Sequence, residues 1–189
     1  GCDFVVAQGT EGGGHTGTVA TMALVPQVVD AVGDSVPVVA AGGLYDGRGL
    51  AEALTLGADG VWMGTRFIAT PEARAVRGYK ETLLATPEDG TVISRAFTGK
   101  TCRVVRNDWT QHFEDHPEEL QPFPAQVVAA RRAGAAHLGD PSDTEVDLSR
   151  EFMPAGQGVG AITELTPAGD LVRQIVTEAE RALARAASL

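Results

Sequence analysis

The sequence lacks several features that would assign its class at once. Among its 189 residues, no uninterrupted apolar run approaches the roughly 18 that a membrane helix needs, and no charged, then apolar leader opens the chain. We therefore expect a soluble, cytoplasmic protein without a membrane partner. The net charge of -10 has the wrong sign for nucleic acid, and no basic stripe offsets it. A small-molecule partner is predicted instead.

Cysteine is scarce, and this scarcity excludes two further classes. Cys2 and Cys102 lie far apart and lack CxxC spacing, so the sequence predicts two reduced thiols and neither a disulfide framework nor a metal site. His112, His116 and His137 stand in polar, loop-rich stretches without a partner motif. We interpret these three histidines as structural.

Three apolar runs share one pattern and are predicted to be strands. Each run is continuous and rich in β-branched residues, as in a parallel sheet that is covered on both faces, and each ends in glycine-rich sequence. The pattern predicts right-handed βαβαβ crossovers and an α/β fold. The runs are residues 3–7 (DFVVA), 36–41 (VPVVAA) and 59–63 (DGVWM).

Helices are predicted between these strands. Pro26 suits the first position of a helix that ends at Val32, and Asp46 is expected to cap a second helix that ends at Gly57. The second helix should turn its apolar face toward the sheet. That face comprises Leu50, Ala53, Leu54 and Ala58.

The pattern of apolar strands followed by glycine-rich loops ends at Arg66. Thr70 and Pro71 predict a helix that runs to about Leu84, and one or two extended pieces are expected to follow (TVISRAF, CRVVR). A helix is expected over residues 125–132. We therefore predict βα units with a phosphate site in residues 1–85, and an excursion over the site in residues 86–162.

A C-terminal helix is predicted to pack back on these units within residues 163–189. Thr166 is expected to cap it and Pro167 to begin it. Its apolar stripe consists of Leu171, Val172, Ile175, Val176, Ala179, Ala182 and Leu183.

Two glycine-rich strand ends predict a phosphate site. Free backbone N–H groups and the positive end of the following helix together bind phosphate, and two such loops in succession match the last two βα loops of a barrel. The loops are residues 41–43 (AGG) and 63–66 (MGTR), where Thr65 can add a hydroxyl and Arg66 a charge. Alternatively, the glycines only form tight turns. Arg66 could equally be a surface cation that is satisfied by protein groups.

The loop after the first strand, residues 8–17 (QGTEGGGHTG), predicts a catalytic histidine. His15 follows three glycines at the carboxyl end of a strand, where barrel enzymes hold their catalytic groups. Imidazole titrates near neutral pH, so His15 suits proton removal from a carbon acid. A structural histidine is the alternative.

With these motifs assembled, the chain resembles the nitronate monooxygenase family, formerly called 2-nitropropane dioxygenases. It also resembles the sister group, the flavin-dependent enoyl-acyl-carrier-protein reductases. The resemblance is strongest from Cys2 to Phe67, through AQGTEGGGH and PVVAAGGLYDGRGLAEALTLGADGVWMGTRF, and it resumes at residues 153–162 (MPAGQGVGAI).

The resemblance implies FMN as the cofactor and His15 as the active-site histidine. A nitronate and O2 would then be the substrates, with a carbonyl compound and nitrite as products. Two departures stand out, because Gly12 replaces the family's usual alanine and Trp62 stands where glutamine is common. The implied cofactor-binding residues are Gln8, Gly13, Gly42, Gly43, Trp62, Met63, Gly64 and Thr65. Gln157 and Gly158, in the glycine-rich MPAGQG loop, are hypothesised to line the substrate pocket.

The resemblance also implies an incomplete (β/α)8 barrel. The strand that ends in the histidine loop would be the sixth of eight, so five βα units are expected to precede Gly1. A parallel sheet of three strands would leave a long edge exposed. FMN binding and folding of the isolated chain, and a homodimeric assembly, are left open by the sequence.

Other functions remain open at this point. An enoyl-thioester reductase would share the flavin site and the histidine loop, but would take electrons from a dinucleotide; no second dinucleotide fingerprint of the GxGxxG kind is present. A non-catalytic flavin-binding module or a decayed fragment belongs to another class. A barrel like IMP dehydrogenase or hydroxy-acid oxidase ranks last, because the catalytic cysteine loop of the one and the terminal-strand histidine of the other are missing.

Overall fold

A computed structural model describes residues 1–137 and 146–188. The six strands in this part of the chain are β1 (Val5–Gln8), β2 (Gly14–His15), β3 (Val38–Ala41), β4 (Gly60–Trp62), β5 (Thr91–Ser94) and β6 (Cys102–Val105). Its α-helices are α1 (Thr21–Val32), α2 (Gly47–Thr55), α3 (Thr65–Ile68), α4 (Arg77–Ala85), α5 (Asp108–Asp115), α6 (Ala125–Arg132) and α7 (Ala168–Ala187). Short 3-10 helices span Pro117–Glu119 and Gln157–Ala161. Residues 138–145 and 189, which belong to the predicted regions 86–162 and 163–189, lie outside the described residues.

The first sheet is parallel and confirms the three predicted strands, with narrower bounds. Its order is β1-β3-β4, with Val5 opposite Val38 and Val39 opposite Gly60. Within the described residues this sheet is open, with β1 and β4 at its edges. Its apolar core is shared with α1 and α2 and includes Ala7, Val25, Val38, Ala40, Ala53 and Ala58.

The second sheet is antiparallel, in the order β2-β6-β5. Strands β5 and β6 lie in the two segments that were considered as extended pieces, so both of them form strands. The sheet also changes the expected setting of His15, which is not in a free loop but in β2, opposite Cys102 of β6. The histidine loop and the segment of β6 therefore meet at His15.

Two helices begin elsewhere than predicted. Helix α1 begins at Thr21, so that Pro26 lies inside it instead of starting it. Helix α4 begins at Arg77, six residues after Pro71. In both cases the proline preference for the first helical turn gave the wrong start. At α1 the Thr21 N–H donates instead to the Glu11 carboxylate from the preceding loop.

Local capping explains α2 and the unpredicted helix α5. The Asp46 side chain accepts hydrogen bonds from the backbone of Arg48 and Gly49, as expected for the N-cap of α2, and Gly57 follows α2 with a φ of +92°. Helix α5 begins with a reciprocal capping box between Asn107 and Thr110. That pair was readable in the sequence.

Helix α7 packs against α2, and its apolar stripe is narrower than expected. Ile175 and Ala179 are buried in this contact, where a Cβ on Gly47 would lie 2.4 Å from the Ile175 carbonyl oxygen. Val172 and Val176 are 49% and 45% exposed, and Leu54 of α2 is also exposed, so these three predicted core positions were wrong.

The cap predicted for α7 was also wrong. Pro167 is its N-cap residue, and the Thr166 hydroxyl accepts a hydrogen bond from Arg66 Nη2 instead (2.7 Å). A search of the described helices for one of sufficient length and apolarity to cross a membrane finds none.

Candidate functional site

A cleft of about 150 Å³ lies where β1, β3 and β4 end. Small-molecule pockets usually measure about 300–1,000 Å³, so the cleft has room for part of a cofactor, such as its phosphate end, and not for an entire flavin. Most of the predicted site residues line it: Gln8, Gly13, Gly42, Gly43, Trp62, Gly64, Thr65 and Gly158. His15, Met63 and Gln157 are absent from its lining.

Side-chain carboxylates occupy two of the three helix N-termini near the cleft. Glu11 accepts hydrogen bonds from the Thr21 backbone N–H (3.0 Å) and the Thr21 hydroxyl (2.9 Å) at the start of α1. At α2, Asp46 accepts from two N–H groups, and Glu178 accepts from the Gly47 N–H (3.0 Å). These helix ends are therefore already neutralised.

The third N-terminus, at α3, has no such cap. Gly64 is its N-cap residue and forms no side-chain capping bond. Among the described residues, the backbone N–H groups of Gly43, Gly64 and Thr65 have no hydrogen-bond partner. The Thr65 hydroxyl accepts the Gly156 N–H (2.9 Å), so its own hydrogen remains available to donate. An anion in the cleft would meet these donors.

Gly64 passes a separate test of fit for a phosphate group. Its φ is -83°, so its backbone conformation does not require glycine. A Cβ at Gly64 would have no atom within 4 Å and would project into open space at the cleft. The residue therefore leaves room for a ligand to approach the backbone closely. The donors and the space together fit the phosphate of FMN.

Other glycines of the site are required by packing between loops. A Cβ on Gly13 would lie 2.7 Å from the Gly156 nitrogen, and one on Gly158 would lie 2.8 Å from the Gly43 carbonyl oxygen. The Gln157 N–H donates to the Glu11 carbonyl oxygen (2.9 Å). The predicted excursion thus supplies one wall of the cleft.

Arg66 lies at the same cleft but is held by protein groups. Its guanidinium donates to the Glu164 carbonyl oxygen (3.1 Å) and to Thr166, and its side chain is buried. Burial lowers the pKa of Arg66 from its ordinary high value. The satisfied-cation interpretation therefore describes its contacts, and its main effect is to fix the segment before α7.

His15 is outside the lining of the cleft but is connected to it through Gln8. The Gln8 side-chain amide, which lines the cleft, donates to the His15 carbonyl oxygen (2.8 Å). The exposed imidazole faces a hollow that it shares with Arg95 and Lys100. The two cations and the absence of an acidic lining residue make this hollow suitable for an anion.

Thr98 orients the His15 ring. Its hydroxyl lies 3.0 Å from His15 Nε2, accepts the Lys100 N–H (3.2 Å) and lies 3.2 Å from the Lys100 carbonyl oxygen. A hydroxyl carries a single hydrogen. When that hydrogen is given to Lys100, His15 Nε2 must be the donor to Thr98, and Nδ1 then carries the free lone pair.

Three predicted contact residues have an unexpected setting. The Met63 side chain packs with Leu171 and Ile175 in the core between the sheet and α7, so only its backbone faces the strand end. Trp62 is 59% exposed at the cleft, and Gln157 is exposed outside the lining. The Trp62 side chain is thus free to cover a ligand.

Sequence reasoning missed three residues that build the site. Glu11 was readable within the QGTEGGGH motif but was not assigned as a cap. Arg103 is buried and donates to the Thr10 carbonyl oxygen (3.1 Å) and the Thr91 hydroxyl (3.2 Å), which ties the histidine loop to the second sheet. Thr98 is 83 residues from His15, and no local pattern pairs them.

Neither cysteine lines the cleft. Both are free thiols, as predicted, with Cys2 exposed and Cys102 buried. Burial raises the pKa of the Cys102 thiol to about 12, so that it stays protonated at neutral pH.

Known proteins share this fold and these motifs. The Nitronate monooxygenase family model matches residues 1–178. A Mycobacterium tuberculosis protein that is provisionally named a monooxygenase is 44% identical over 182 residues, which cover 94% of this chain and 48% of that protein. A Staphylococcus aureus protein provisionally named a nitronate monooxygenase is 35% identical over 190 residues, which cover 94% of this chain and 51% of that protein.

Two solved structures cover the whole chain. FabK from Thermotoga maritima superposes with a TM-score of 0.83 at 34% identity, over 58% of that structure's length. Nitroalkane oxidase from Streptomyces ansochromogenes superposes with a TM-score of 0.77 at 34% identity, over 54% of its length. The chain spans about half the length of the curated relatives it matches. On the family match and these identities, the chain belongs to the nitronate monooxygenase family.

Proposed function

We propose that this chain supplies the FMN-phosphate site and the active-site histidine of an enzyme that oxidises alkyl nitronates with O2 to a carbonyl compound and nitrite. The observation that carries the proposal is the set of unpartnered N–H groups of Gly43, Gly64 and Thr65, which meet in one cleft beside the His15 strand. Family membership and the likeness to nitroalkane oxidase support the same reaction class.

The proposed fold of the whole protein is a (β/α)8 barrel of which this chain forms the last three units. Strands β1, β3 and β4 would be the sixth, seventh and eighth, which agrees with their parallel order and with the half-length match to relatives. Residues 1–85 would form these units, 86–162 the substrate-side excursion, and 163–189 the helix that packs back.

In this proposal the chain binds FMN mainly through its backbone. Gly43, Gly64 and Thr65 would hold the phosphate, because they offer free donors. The further proposed contacts are Gln8, Gly13, Gly42, Trp62 and the Met63 backbone. When bound, FMN supplies the electron transfer and the reaction with O2.

His15 is proposed to handle the proton. With Nε2 held by Thr98, Nδ1 would remove the α-proton of a neutral nitroalkane, or the ring would orient a nitronate that is already an anion. Arg95 and Lys100, which share its hollow, would attract that anion. Gly158 lines the cleft and Gln157 follows the same turn, so both are kept as proposed substrate-side residues.

The experiment uses the full-length, FMN-loaded protein under anaerobic and then aerobic conditions. A nitronate should reduce the flavin, and admission of O2 should give oxygen uptake and nitrite. In His15→Asn, oxidation of the neutral nitroalkane should fall by about a hundredfold or more, while oxidation of pre-formed nitronate should fall less. Equal losses on both substrates would contradict proton removal by His15.

An enoyl reductase is the second candidate, because the chain superposes on FabK with the higher TM-score of the two structures named above. It would use the same FMN site with electrons from NAD(P)H. Two results together would support the reductase. NADH would bleach the flavin and an enoyl thioester would then reoxidise it, and the protein would not turn over a nitronate. A protein that binds FMN and turns over neither substrate would support a non-catalytic module.

The remaining proposals concern partners and location. We propose a cytoplasmic protein with a small-molecule substrate, with no nucleic-acid or membrane partner, and with a homodimer as its assembly. The net charge of -10 supports the exclusion of a nucleic-acid partner and of a membrane partner. Light scattering on the full-length protein would test the assembly.

A further inference from the structure

The end of α5 and the following 3-10 helix carry a cluster of potential metal ligands, away from the cleft. His112, His116, Glu118 and Glu119 lie within eight residues. His112 Nε2 is 2.9 Å from Glu119 Oε2, and His116 Nδ1 is 3.4 Å from Glu118 Oε1. One ligand atom from each of His116, Glu118 and Glu119 lies within 4.8 Å of the others.

The ligand atoms of His116, Glu118 and Glu119 are close enough to share one ion, and His112 contacts this group through Glu119. Zinc binds imidazole nitrogen and carboxylate oxygen at about 2.0–2.2 Å, so two ligand atoms on a tetrahedral ion lie roughly 3.3 Å apart. The two measured ligand pairs bracket that value. The imidazole rings of His112 and His116 are 5.0 Å apart, because an i, i+4 spacing places them on one face.

The backbone already holds the ligands in this arrangement. The His116 N–H donates to the His112 carbonyl oxygen (2.8 Å), and the Glu119 N–H donates to the His116 carbonyl oxygen (3.1 Å). Two consecutive turns therefore fix the three positions. A metal would need to order the four exposed side chains and little of the chain.

The local charge also favours a cation. Besides the two glutamates of the cluster, α5 contains Asp108, Glu114 and Asp115, while the nearby Arg106 pairs with Glu114 (2.9 Å). The carboxyl end of α5 adds the negative end of the helix dipole. Imidazoles prefer zinc-class ions over magnesium or calcium, which favour oxygen ligands.

We propose that His112, His116, Glu118 and Glu119 form a binding site for one divalent transition-metal ion of the zinc class. The proposal is independent of the flavin site. It revises the sequence-based expectation that no metal site exists and that both histidines are structural, because that expectation considered each histidine alone.

The test titrates zinc into untagged full-length protein, after treatment with a chelator, against a chromophoric competitor. Wild type should bind one zinc ion at this site, and His112→Asn, His116→Asn and Glu119→Gln should each weaken its Kd about tenfold or more. Millimolar magnesium should not displace the zinc. Far-UV circular dichroism checks that each variant is folded.

Asp115→Asn is the matched control, because it removes a negative charge from the same helix end without removing a ligand. It should change the zinc Kd by less than about threefold. The proposal is overturned if Asp115→Asn weakens binding as much as Glu119→Gln does, which would indicate diffuse attraction. It is also overturned if the double variant of His112 and His116 binds zinc as wild type does.

Discussion

At the scale of single residues, Gly64 differs from the other glycines of the cleft. Gly42 and Gly43 have φ values of +105° and +74°, and Gly13 and Gly158 pack against neighbouring backbone, so each has a reason within the fold. Gly64 has neither a positive φ nor a close neighbour. Gly64 is therefore the glycine of the cleft lining whose backbone is open to the close approach of a ligand.

Gly64→Ala should therefore weaken FMN binding without destabilising the fold. We expect the Kd for FMN in the full-length protein to rise about tenfold or more, which corresponds to about 1.4 kcal/mol, since a methyl group would fill the space of the phosphate. Fluorescence titration of FMN measures this change. Gly60→Ala is the control, because its Cβ also meets no atom but lies outside the cleft lining. Equal effects of the two variants would contradict the phosphate assignment.

Thr98 offers a second prediction at this scale. Thr98→Val removes the hydrogen bond to His15 at nearly constant volume, so the ring loses its preferred orientation. We expect kcat for a neutral nitroalkane to fall about tenfold in the full-length enzyme, a smaller loss than for removal of the base itself. Oxidation of pre-formed nitronate should change less.

Thr98→Ser is the conservative control, since it keeps the hydroxyl. Recovery of most of the lost kcat in the serine variant would support an orienting role. A loss of equal size in both variants would point instead to the packing of the Thr98 methyl group. Thermal unfolding of all three proteins separates a stability defect from a kinetic one.

At the scale of elements, α1 depends on a cap from outside the helix. Ala20, its N-cap residue, forms no side-chain capping bond, and Glu11 from the preceding loop accepts the Thr21 N–H instead. The same carboxylate accepts the Thr21 hydroxyl hydrogen bond, so the histidine loop and α1 share one connection.

Glu11→Ala should lower the free energy of unfolding by about 1–3 kcal/mol, because it removes a helix cap and a charge-assisted hydrogen bond. Urea denaturation of the full-length protein measures this loss. Glu81→Ala is the comparison, since Glu81 forms an exposed pair with Arg77 on α4 and should cost less than about 0.5 kcal/mol. A loss from Glu11→Ala no larger than that from Glu81→Ala would exclude the capping role.

The sequence predicted those elements whose signals are local. The three parallel strands, the Asp46 cap and the glycine loops were readable, because each depends on neighbouring residues. The start of α1 was not, and neither was the pairing of His15 with β6, because Glu11, Cys102 and Thr98 act across ten residues or more. The exposed Val172 and Val176 are a further example. Periodicity predicts that α7 has an apolar face, but it does not predict how much of that face a neighbouring element buries.

At the scale of the whole molecule, the parallel sheet leaves apolar side chains uncovered. Phe4 and Val6 are 46% and 39% exposed at the β1 edge, and Trp62 is 59% exposed on β4. Open, apolar strand edges pair with other chains. The chain expressed alone should therefore self-associate, with a mass above that of the monomer in light scattering.

Val6→Lys should reduce this association, because a charge on an edge strand opposes pairing. Val176→Lys changes an equally exposed valine on α7 and should leave the association unchanged. A monomeric wild-type chain at micromolar concentration, or equal effects of the two lysines, would contradict the edge-pairing interpretation.

The hydrogen bond from Gln157 to Glu11 determines which parts of the cleft can form first during protein synthesis. Residues 156–158 form a wall of the cleft against segments more than a hundred positions earlier, so the wall is absent until the ribosome has released that late segment. Closing so long a loop is slow compared with forming the local βα units. The N–H donors of Gly43, Gly64 and Thr65 are therefore synthesised before the wall that residues 156–158 form, and the cleft is completed only after residue 158 has left the ribosome.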